Sequence, residues 1–451
     1  MQLSEDLIIQ WLNVYCPFQV HSRLHLLLAV SGGTDSVVLT DLVARSGIDF
    51  SILHCNFQLR GAESERDEQF VRSLAARYNK AIHVNRFDTA SVVAAKKSSV
   101  QEVARELRYE WFEQVRSEYE QADNQKAARI VVAHHADDNI ETVLINLFRG
   151  TGLHGLTGME PVRNNILRPL LGFRKDELKQ YALTKGLNPV EDSSNLTDDY
   201  TRNYFRNELI PGIQKVFPAV ENNLLHTIGR LKEAENLYMQ ALKQVLDKMI
   251  VIKGDEYHVP VLLWKKAKPL TTITYELIKQ FGFSAAQTAE AIKLLDAANS
   301  GYIASKTHRL IRNRNWMIIA PAAKEYAHML IPVHATDTKI DYAAGSIELL
   351  PVTDSVMPNS NHEALVDAAM LEFPLLLRPW KQGDYFYPLG MSKKKKISRF
   401  LSDMKLSKTD KEKVWVILSG KKIVWVIGLR IDHRFRMTDT TTQVLRMVCQ
   451  K

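Results

Sequence analysis

Residues 24–36 read Leu24-His25-Leu26-Leu27-Leu28-Ala29-Val30-Ser31-Gly32-Gly33-Thr34-Asp35-Ser36. An apolar run of strand length breaks at two glycines and passes into a helical pattern. Such a run, apolar almost throughout rather than alternating, is what a strand covered on both faces requires. Similar runs occupy 51–56, 81–87 and 130–134, and helical patterns over 35–45, 63–79 and 101–118 lie between them. Strand–helix alternation predicts an α/β domain with a parallel sheet and helices on both faces. Ligands of such sheets bind beyond the carboxyl ends of the strands, so chemistry is sought directly after each strand.

After the first strand come Ser31, Gly32, Gly33, Thr34, Asp35 and Ser36. The glycines allow a tight turn, and the following helix N-terminus offers free amides to an anion, with three hydroxyls beside them. The loop lacks the GK[ST] of a Walker motif and the GxGxxG of a dinucleotide fold. Helix capping by Asp35 and Ser36 is the simpler alternative. The loop resembles that of ATP pyrophosphatases, which cleave ATP to AMP and pyrophosphate. That resemblance implies ATP as cosubstrate and Mg2+ positioned by Asp35.

After the fourth strand, residues 134–142 read HHADDNIET. Asp138 and Glu141 are three apart, so a helix projects both carboxylates from one face. Two adjacent anions suit a cation or an ammonium group. An acid-rich first turn serving the helix dipole is the competing reading. Residues 150–159 hold four glycines and read as a shaped loop. Residues 191–206 combine Glu191, Asp192, Ser193, Ser194, Asn195, Tyr200, Asn203 and two arginines. Arg202 and Arg206, at i and i+4, face one way on a helix and can clamp phosphate, unless they serve a surface salt-bridge network.

Taken together, SGGTDS, HCNFQLRGAESERDEQF (54–70), QEVARELRYEWF (101–112), HHADDNIET, RGTGLHGLTGM (149–159) and EDSSNLTDDYTRNYFRN (191–207) resemble the bacterial tRNA(Ile)-lysidine synthetase family. RPWKQGDYFYPLGM (378–391) and IVWVIGLRIDHRF (423–435) extend the likeness, which is weakest over 323–365. Asn139 stands where that family leads one to expect Gln. The resemblance implies an adenine nucleotide α-hydrolase-like N-terminal domain and an ATP-dependent ligase. Such an enzyme joins free L-lysine to C2 of the wobble cytidine in a CAU-anticodon isoleucine tRNA through an adenylated intermediate. Asp138 and Glu141 then suit the lysine amines, with Asp138 also the candidate proton acceptor. Arg206 suits the phosphate of the intermediate, with Arg202 as substitute.

The formal charge of +8 is unevenly distributed. Residues 1–215 carry a net −3, 216–377 a net −1 and 378–451 a net +12. A basic tail of that kind suits a polyanion. Arg378, Lys393, Lys394, Lys395, Lys396 and Arg399 are the expected tRNA contacts, with Trp380, Tyr385 and Phe386 as candidate stacking surfaces. Trp415 and Trp425, in alternating runs, are expected in the core. The expected organisation is an ATP-binding catalytic domain (1–215), a mostly helical tRNA-contacting domain (216–322), a linker with an isolated strand or two (323–365), and a small basic α+β tRNA-binding domain (366–451).

Only Cys16, Cys55 and Cys449 occur, with no close pair. This excludes a disulfide scaffold and a CxxC metal site, and counts against tRNA-thiolating enzymes that use paired cysteines. GMP synthetase-type enzymes would need a glutaminase domain with a nucleophilic cysteine. A plain RNA-binding module would leave SGGTDS and the carboxylate pair without a role. The N-terminal residues are acidic and amphipathic, unlike a signal peptide, and no apolar run reaches the ~20 residues of a bilayer span. A cytoplasmic protein with no membrane partner is expected. A homodimer is left open.

Overall fold

The computed structural model describes residues 3–16, 24–96, 98–123, 127–190, 201–297, 301–322, 329–352 and 360–450. The chain divides into two compact units, Met1–Gln240 and Ala241–Lys451.

The first unit opens with α1 (Leu7–Tyr15), then β1 (Leu24–Ala29), α2 (Thr34–Arg45), β2 (Phe50–Asn56), α3 (Ala62–Arg77) and β3 (Ile82–Arg86). Helices α4 (Thr89–Lys96) and α5 (Val100–Ala122) lead to β4 (Ala127–Val131) and α6 (Ala136–Arg149). A single turn, α7 (Leu153–Leu156), precedes β5 (Val162–Arg163), β6 (Ile166–Leu167) and α8 (Lys175–Thr184). Then follow α9 (Thr201–Tyr204), a π-helical turn (Phe205–Leu209), α10 (Ile210–Gln214) and the long α11 (Val220–Met249). The helix expected from residue 101 starts at Val100 because Ser99 caps it, its hydroxyl accepting from Glu102 N at 3.3 Å.

The strands form one six-stranded sheet in the order β3-β2-β1-β4-β6-β5, parallel except for the edge pair β5–β6. Side chains alternate across a strand, and β1 shows both faces covered. Leu24, Leu26 and Leu28 pack with α1, α2 and α8 residues such as Trp11, Val38 and Leu178. Leu27 packs on the other face with Phe112 and Val115 of α5. Each of these fully buried leucines contributes about 1.5–3 kcal/mol. Chain order reverses between β1 and β4: β2 and β3 continue outward from one side of β1, and β4 starts the other. The crevice at such a switch point is where an open α/β sheet binds its ligand. The residues after β1 and after β4 therefore meet there.

In the second unit, β7 (Val251–Lys253), β8 (Glu256–Pro260), β9 (Tyr302–Ala304), β10 (His308–Asn313) and β11 (Trp316–Pro321) form an antiparallel sheet in the order β7-β8-β11-β10-β9. Helices α12 (Val261–Lys266), α13 (Leu270–Lys279) and α14 (Gln287–Asp296) accompany it.

In the segment expected as a linker with an isolated strand or two, the described residues are built into sheets. It supplies β12 (Ile331–Val333), β13 (Lys339–Tyr342), β14 (Gly345–Val352) and β15 (Glu363–Asp367). After them come β16 (Leu375–Pro379), β17 (Tyr385–Phe386), β18 (Lys395–Lys396), α15 (Ile397–Asp403), α16 (Lys408–Glu412), β19 (Trp415–Ser419), β20 (Lys422–Val426), β21 (Arg430–Ile431) and β22 (Val444–Gln450). Strands β14 and β15 both pair with β22, and β12 pairs with β16. Ile347, Leu349, Ala364 and Val366 share one core with Trp415, Trp425 and Met447. Their weak local patterning is offset by partners almost a hundred residues away, such as Val444 opposite Val352.

Candidate active site

The loop after β1 is braced by its own hydroxyls. Ser36 Oγ donates to the Gly33 carbonyl at 2.9 Å and accepts from Gly32 N at 3.2 Å, while Gly33 N donates to Ser31 Oγ at 3.4 Å. Gly32 sits at φ +100°, and a Cβ there would lie 3.3 Å from the Phe70 ring. The first intrahelical amide of α2 is Val37 N, donating to Gly33 O. The amides of Thr34, Asp35 and Ser36 are therefore, among the described residues, the unpaired donors of the helix N-terminus, the arrangement that binds a phosphate.

Beside this loop stands the N-terminus of α6. His135, almost fully buried, places Nε2 at 3.5 Å from Asp35 Oδ2 and 3.6 Å from Asp138 Oδ2. Burial would lower the imidazole pKa, but Asp137, Asp35 and Asp138 outweigh it and hold it at about 9. The imidazolium thus ties together carboxylates from the two neighbouring strand ends. Asp137 fastens α6 to α8, accepting from Arg174 Nε at 2.9 Å and Lys175 N at 2.7 Å. Asp138 accepts the His135 amide at 3.1 Å. Its carboxyl is kept below the ordinary range although burial opposes this, with the charges of His135 and Arg202 prevailing.

Glu141 is buried one turn further along α6. Burial pushes its carboxyl pKa up, and the Arg206 guanidinium opposes the rise. Arg206 Nε and Nη2 donate to its two oxygens at 2.6 and 3.1 Å, and Nη2 also reaches Asp138 Oδ1 at 3.3 Å. Arg202 Nε lies 3.0 Å from Glu141 Oε2, and Arg202 Nη2 donates to Thr142 Oγ1 at 2.7 Å. The two arginines do face one way, as their spacing predicts, but onto a carboxylate. A π-helical turn begins between them, and Phe205 packs with Ile140 and Leu144 to hold it against α6. Residues 191–200, with Glu191, Asp192, Ser193, Ser194, Asn195 and Tyr200, lie outside the described residues.

A PP-loop domain model matches residues 4–213, a TilS substrate binding domain model 252–322 and a TilS substrate C-terminal domain model 375–448. The chain is 37% identical to the tRNA(Ile)-lysidine synthase of Parabacteroides distasonis over 420 residues, covering 93% of this chain and 94% of the relative. The chain belongs to the tRNA(Ile)-lysidine synthase family. It is 36% identical to the enzyme of that name from Bacteroides thetaiotaomicron, again covering 93% and 94%. With that of Porphyromonas gingivalis the identity is 32%, covering 95% of each chain. Membership makes this an ATP-binding, tRNA-modifying PP-loop ligase. Among the described residues no helix is long and apolar enough to cross a membrane.

Within this lysidine synthase framework the glycine loop has a specific attachment. Asn139, legible in the sequence only as a departure, accepts Met159 N on its Oδ1 at 2.6 Å. Asn146 Nδ2 donates to the Gly155 carbonyl at 2.9 Å, and Lys232 Nζ to the Met159 carbonyl at 3.1 Å. Gly158 has φ +73°, and a Cβ on it would fall 2.2 Å from Asn139 Oδ1. Gly158→Ala should therefore lower unfolding stability by roughly 1–3 kcal/mol. An unchanged denaturation midpoint would refute this attachment.

The candidate tRNA contacts divide. Arg378 is buried and forks onto Asp384 at 2.8 and 2.9 Å, so it is a structural ion pair rather than a phosphate ligand. Phe386 is fully buried in a core with Phe400 and Leu401, which removes it as a stacking surface. Trp380 is half-buried, and its indole N–H donates to the Lys411 carbonyl at 2.6 Å. Lys393, Lys394, Lys396 and Arg399 are exposed, whereas Lys395 is half-buried and pairs with Asp403 at 2.8 Å. Tyr385 stays exposed with Lys394 Nζ 5.5 Å above its ring. Trp415 and Trp425 are buried as expected.

The sequence alone does not single out His135. Its doublet with His134 carries only a weak metal-like signal, and its position between Asp35 and Asp138 depends on β1 and β4 being neighbours.

Proposed function

We propose that this chain ligates free L-lysine to C2 of the wobble cytidine in a CAU-anticodon tRNA(Ile), in the cytoplasm. The observation that carries the reading is the convergence of Asp35, His135, Asp138, Glu141 and Arg206 at the β1–β4 crevice, beside unpaired amides suited to a phosphate.

In this reading the Thr34, Asp35 and Ser36 amides hold the pyrophosphate portion of ATP. The cytidine C2 oxygen attacks the α-phosphorus, pyrophosphate departs, and the oxygen becomes part of an AMP leaving group. The lysine ε-amine then attacks C2, the C2–O bond breaks, and AMP leaves with the original oxygen. Asp138 binds an amine of lysine and accepts the proton released as the nitrogen attacks. Glu141 contributes the second negative charge and aims Arg206, which binds the phosphate of the adenylated cytidine. Arg202 is placed to substitute. Asp35 Oδ1 is buried without a hydrogen-bond partner among the described residues, and a carboxylate oxygen is the hard donor Mg2+ prefers. The site thus fits the ion, with Asp35 as ligand. Bound there, Mg2+ neutralises charge developing on pyrophosphate.

Pyrophosphate release tests the reaction class: release should require both the CAU tRNA and lysine for sustained turnover. A plain RNA-binding module would release none with any RNA. Neutralising Lys393, Lys394 and Lys396 to Gln, sparing Lys395, should weaken tRNA binding. The slope of log affinity on log salt should become shallower by about 0.7–0.9 for each phosphate no longer neutralised. Unchanged affinity with altered turnover would remove this segment as an affinity element.

A further inference from the structure

The second unit holds two modules joined by the chain between Pro321 and Ile331: the β7–β11 sheet with its helices, and the sheets built from β12 to β22. Ile311, Ile318 and Ala320 belong to a core of the first, and Ile417, Val424 and Trp425 to a core of the second. The short helix α16 and the residue after it bridge the two modules with charged side chains.

Glu412, the last residue of α16, accepts a fork from Arg309 of β10: Nη1 donates to Oε1 at 3.1 Å and Nη2 to Oε2 at 2.7 Å. Lys413 follows, with Nζ 3.2 Å from Asp255 Oδ1 and 3.1 Å from Glu256 Oε1, where β8 begins. Lys408, at the other end of α16, holds Nζ 4.3 Å from the centre of the Tyr302 ring on β9. One helix therefore meets the β7–β11 sheet at three strands. Glu256 is buried, whereas Asp255, Lys408, Glu412 and Lys413 are exposed. Exposed ion pairs are individually weak and are screened by salt. A polar seam of this kind leaves relative movement of the modules as the default expectation.

We propose that α16 is an ion-pair latch that docks the C-terminal module on the β7–β11 module, and that RNA phosphates release it. The release step rests on the RNA-substrate reading above. Lys396 stands at the N-cap of α15, and Lys411 of α16 reaches the far end of that helix, donating to Ser402 Oγ at 2.9 Å. The seven residues of α15 span about 10 Å. The lysines proposed to hold RNA thus stand about a Debye length from the latch. A phosphate arriving there draws Lys408 and Lys413 away and repels Asp255, Glu256 and Glu412, so it opposes each of the three contacts. The closed latch in turn costs RNA affinity, because only the open fraction of the chain is competent.

Two measurements on the full chain test this. Zero-length carbodiimide coupling joins an amine to a carboxylate in contact with it. Mass spectrometry of the digested chain then reads the Lys413–Asp255 and Lys413–Glu256 links, with Lys265–Asp296, an ion pair inside the first module, as internal reference. The relative yield should fall several-fold in Arg309→Gln and return in the exchanged pair Arg309→Glu/Glu412→Arg. The second measurement is affinity for CAU tRNA, where the sign decides. Arg309→Gln removes a positive charge, so loss of a plain RNA contact would weaken binding. Release of the latch instead tightens it roughly two- to fivefold, and the exchanged pair restores the original affinity. A yield unchanged by Arg309→Gln, or not recovered by the exchanged pair, would overturn the latch. Weaker or unchanged tRNA binding by Arg309→Gln would overturn its release by RNA. Failure of the unsubstituted chain to bind tRNA would remove the substrate reading and the release step together, while the coupling yields still decide the latch.

Discussion

Asp35→Ala should abolish adenylation of the cytidine, lowering AMP formation by roughly 10²–10³ or more while tRNA affinity stays within a few-fold. The expectation follows from position. Asp35 is the second residue of α2, and among the described residues the amides around it and one of its own oxygens have no hydrogen-bond partner. The other faces the His135 imidazolium at 3.5 Å. Its loss thus removes both the proposed metal ligand and one of the anions that keep His135 protonated. The lysines proposed to bind RNA, Lys393, Lys394 and Lys396, belong to the second compact unit, so affinity for tRNA should survive. Normal AMP formation by this variant would refute the assignment of the loop.

The second large effect is at Glu141. Glu141→Gln keeps the shape of the side chain and removes its charge, so the two anions proposed to face the lysine amine become one. A hydrogen bond to a charged group contributes about 1.5–3 kcal/mol, and its loss should raise the lysine KM roughly ten- to a hundredfold with the ATP KM changed only a few-fold. The geometry adds a structural consequence. Both Glu141 oxygens accept from Arg206, and Arg202 lies against one of them. A neutral amide there leaves two guanidinium groups with only Asp138 to answer them, so turnover should fall as well. Steady-state kinetics with lysine and ATP varied separately decides the matter. If turnover falls while the lysine KM is unchanged, Glu141 acts only by positioning the arginines.

The catalytic half of the fold is legible in the sequence because the physics there is local. Leu24–Ala29 has to be a doubly covered strand, since its apolar residues do not alternate. The glycine pair and the acids at i and i+3 then stand at strand ends, where a parallel sheet binds ligands. What requires the folded chain is adjacency. Nothing local says that β4 lies beside β1, so the bridge from Asp35 through His135 to Asp138 cannot be read from the sequence. The spacing of Arg202 and Arg206 shows that they face one way, but their partner lies some sixty residues earlier. Arg378 looks like a surface cation because its partner Asp384 is reached only after the chain turns back. The 331–367 strands resemble a linker because their register is set by β22 and β16 rather than by a strong alternation of their own. The net +12 tail survives as a signal, but its contributors differ: Lys393, Lys394 and Lys396 remain open to RNA, while Arg378 and Lys395 hold the tail's own fold.

The most direct test of the central claim is mass analysis of tRNA(Ile) bearing a CAU anticodon, incubated with the protein, ATP and isotope-labelled lysine. The account predicts that the wobble cytidine gains the mass of one lysine less one water, carries the label, and forms together with one AMP and one pyrophosphate. An unmodified cytidine after ATP has been consumed, or label placed at any other nucleotide, would contradict it.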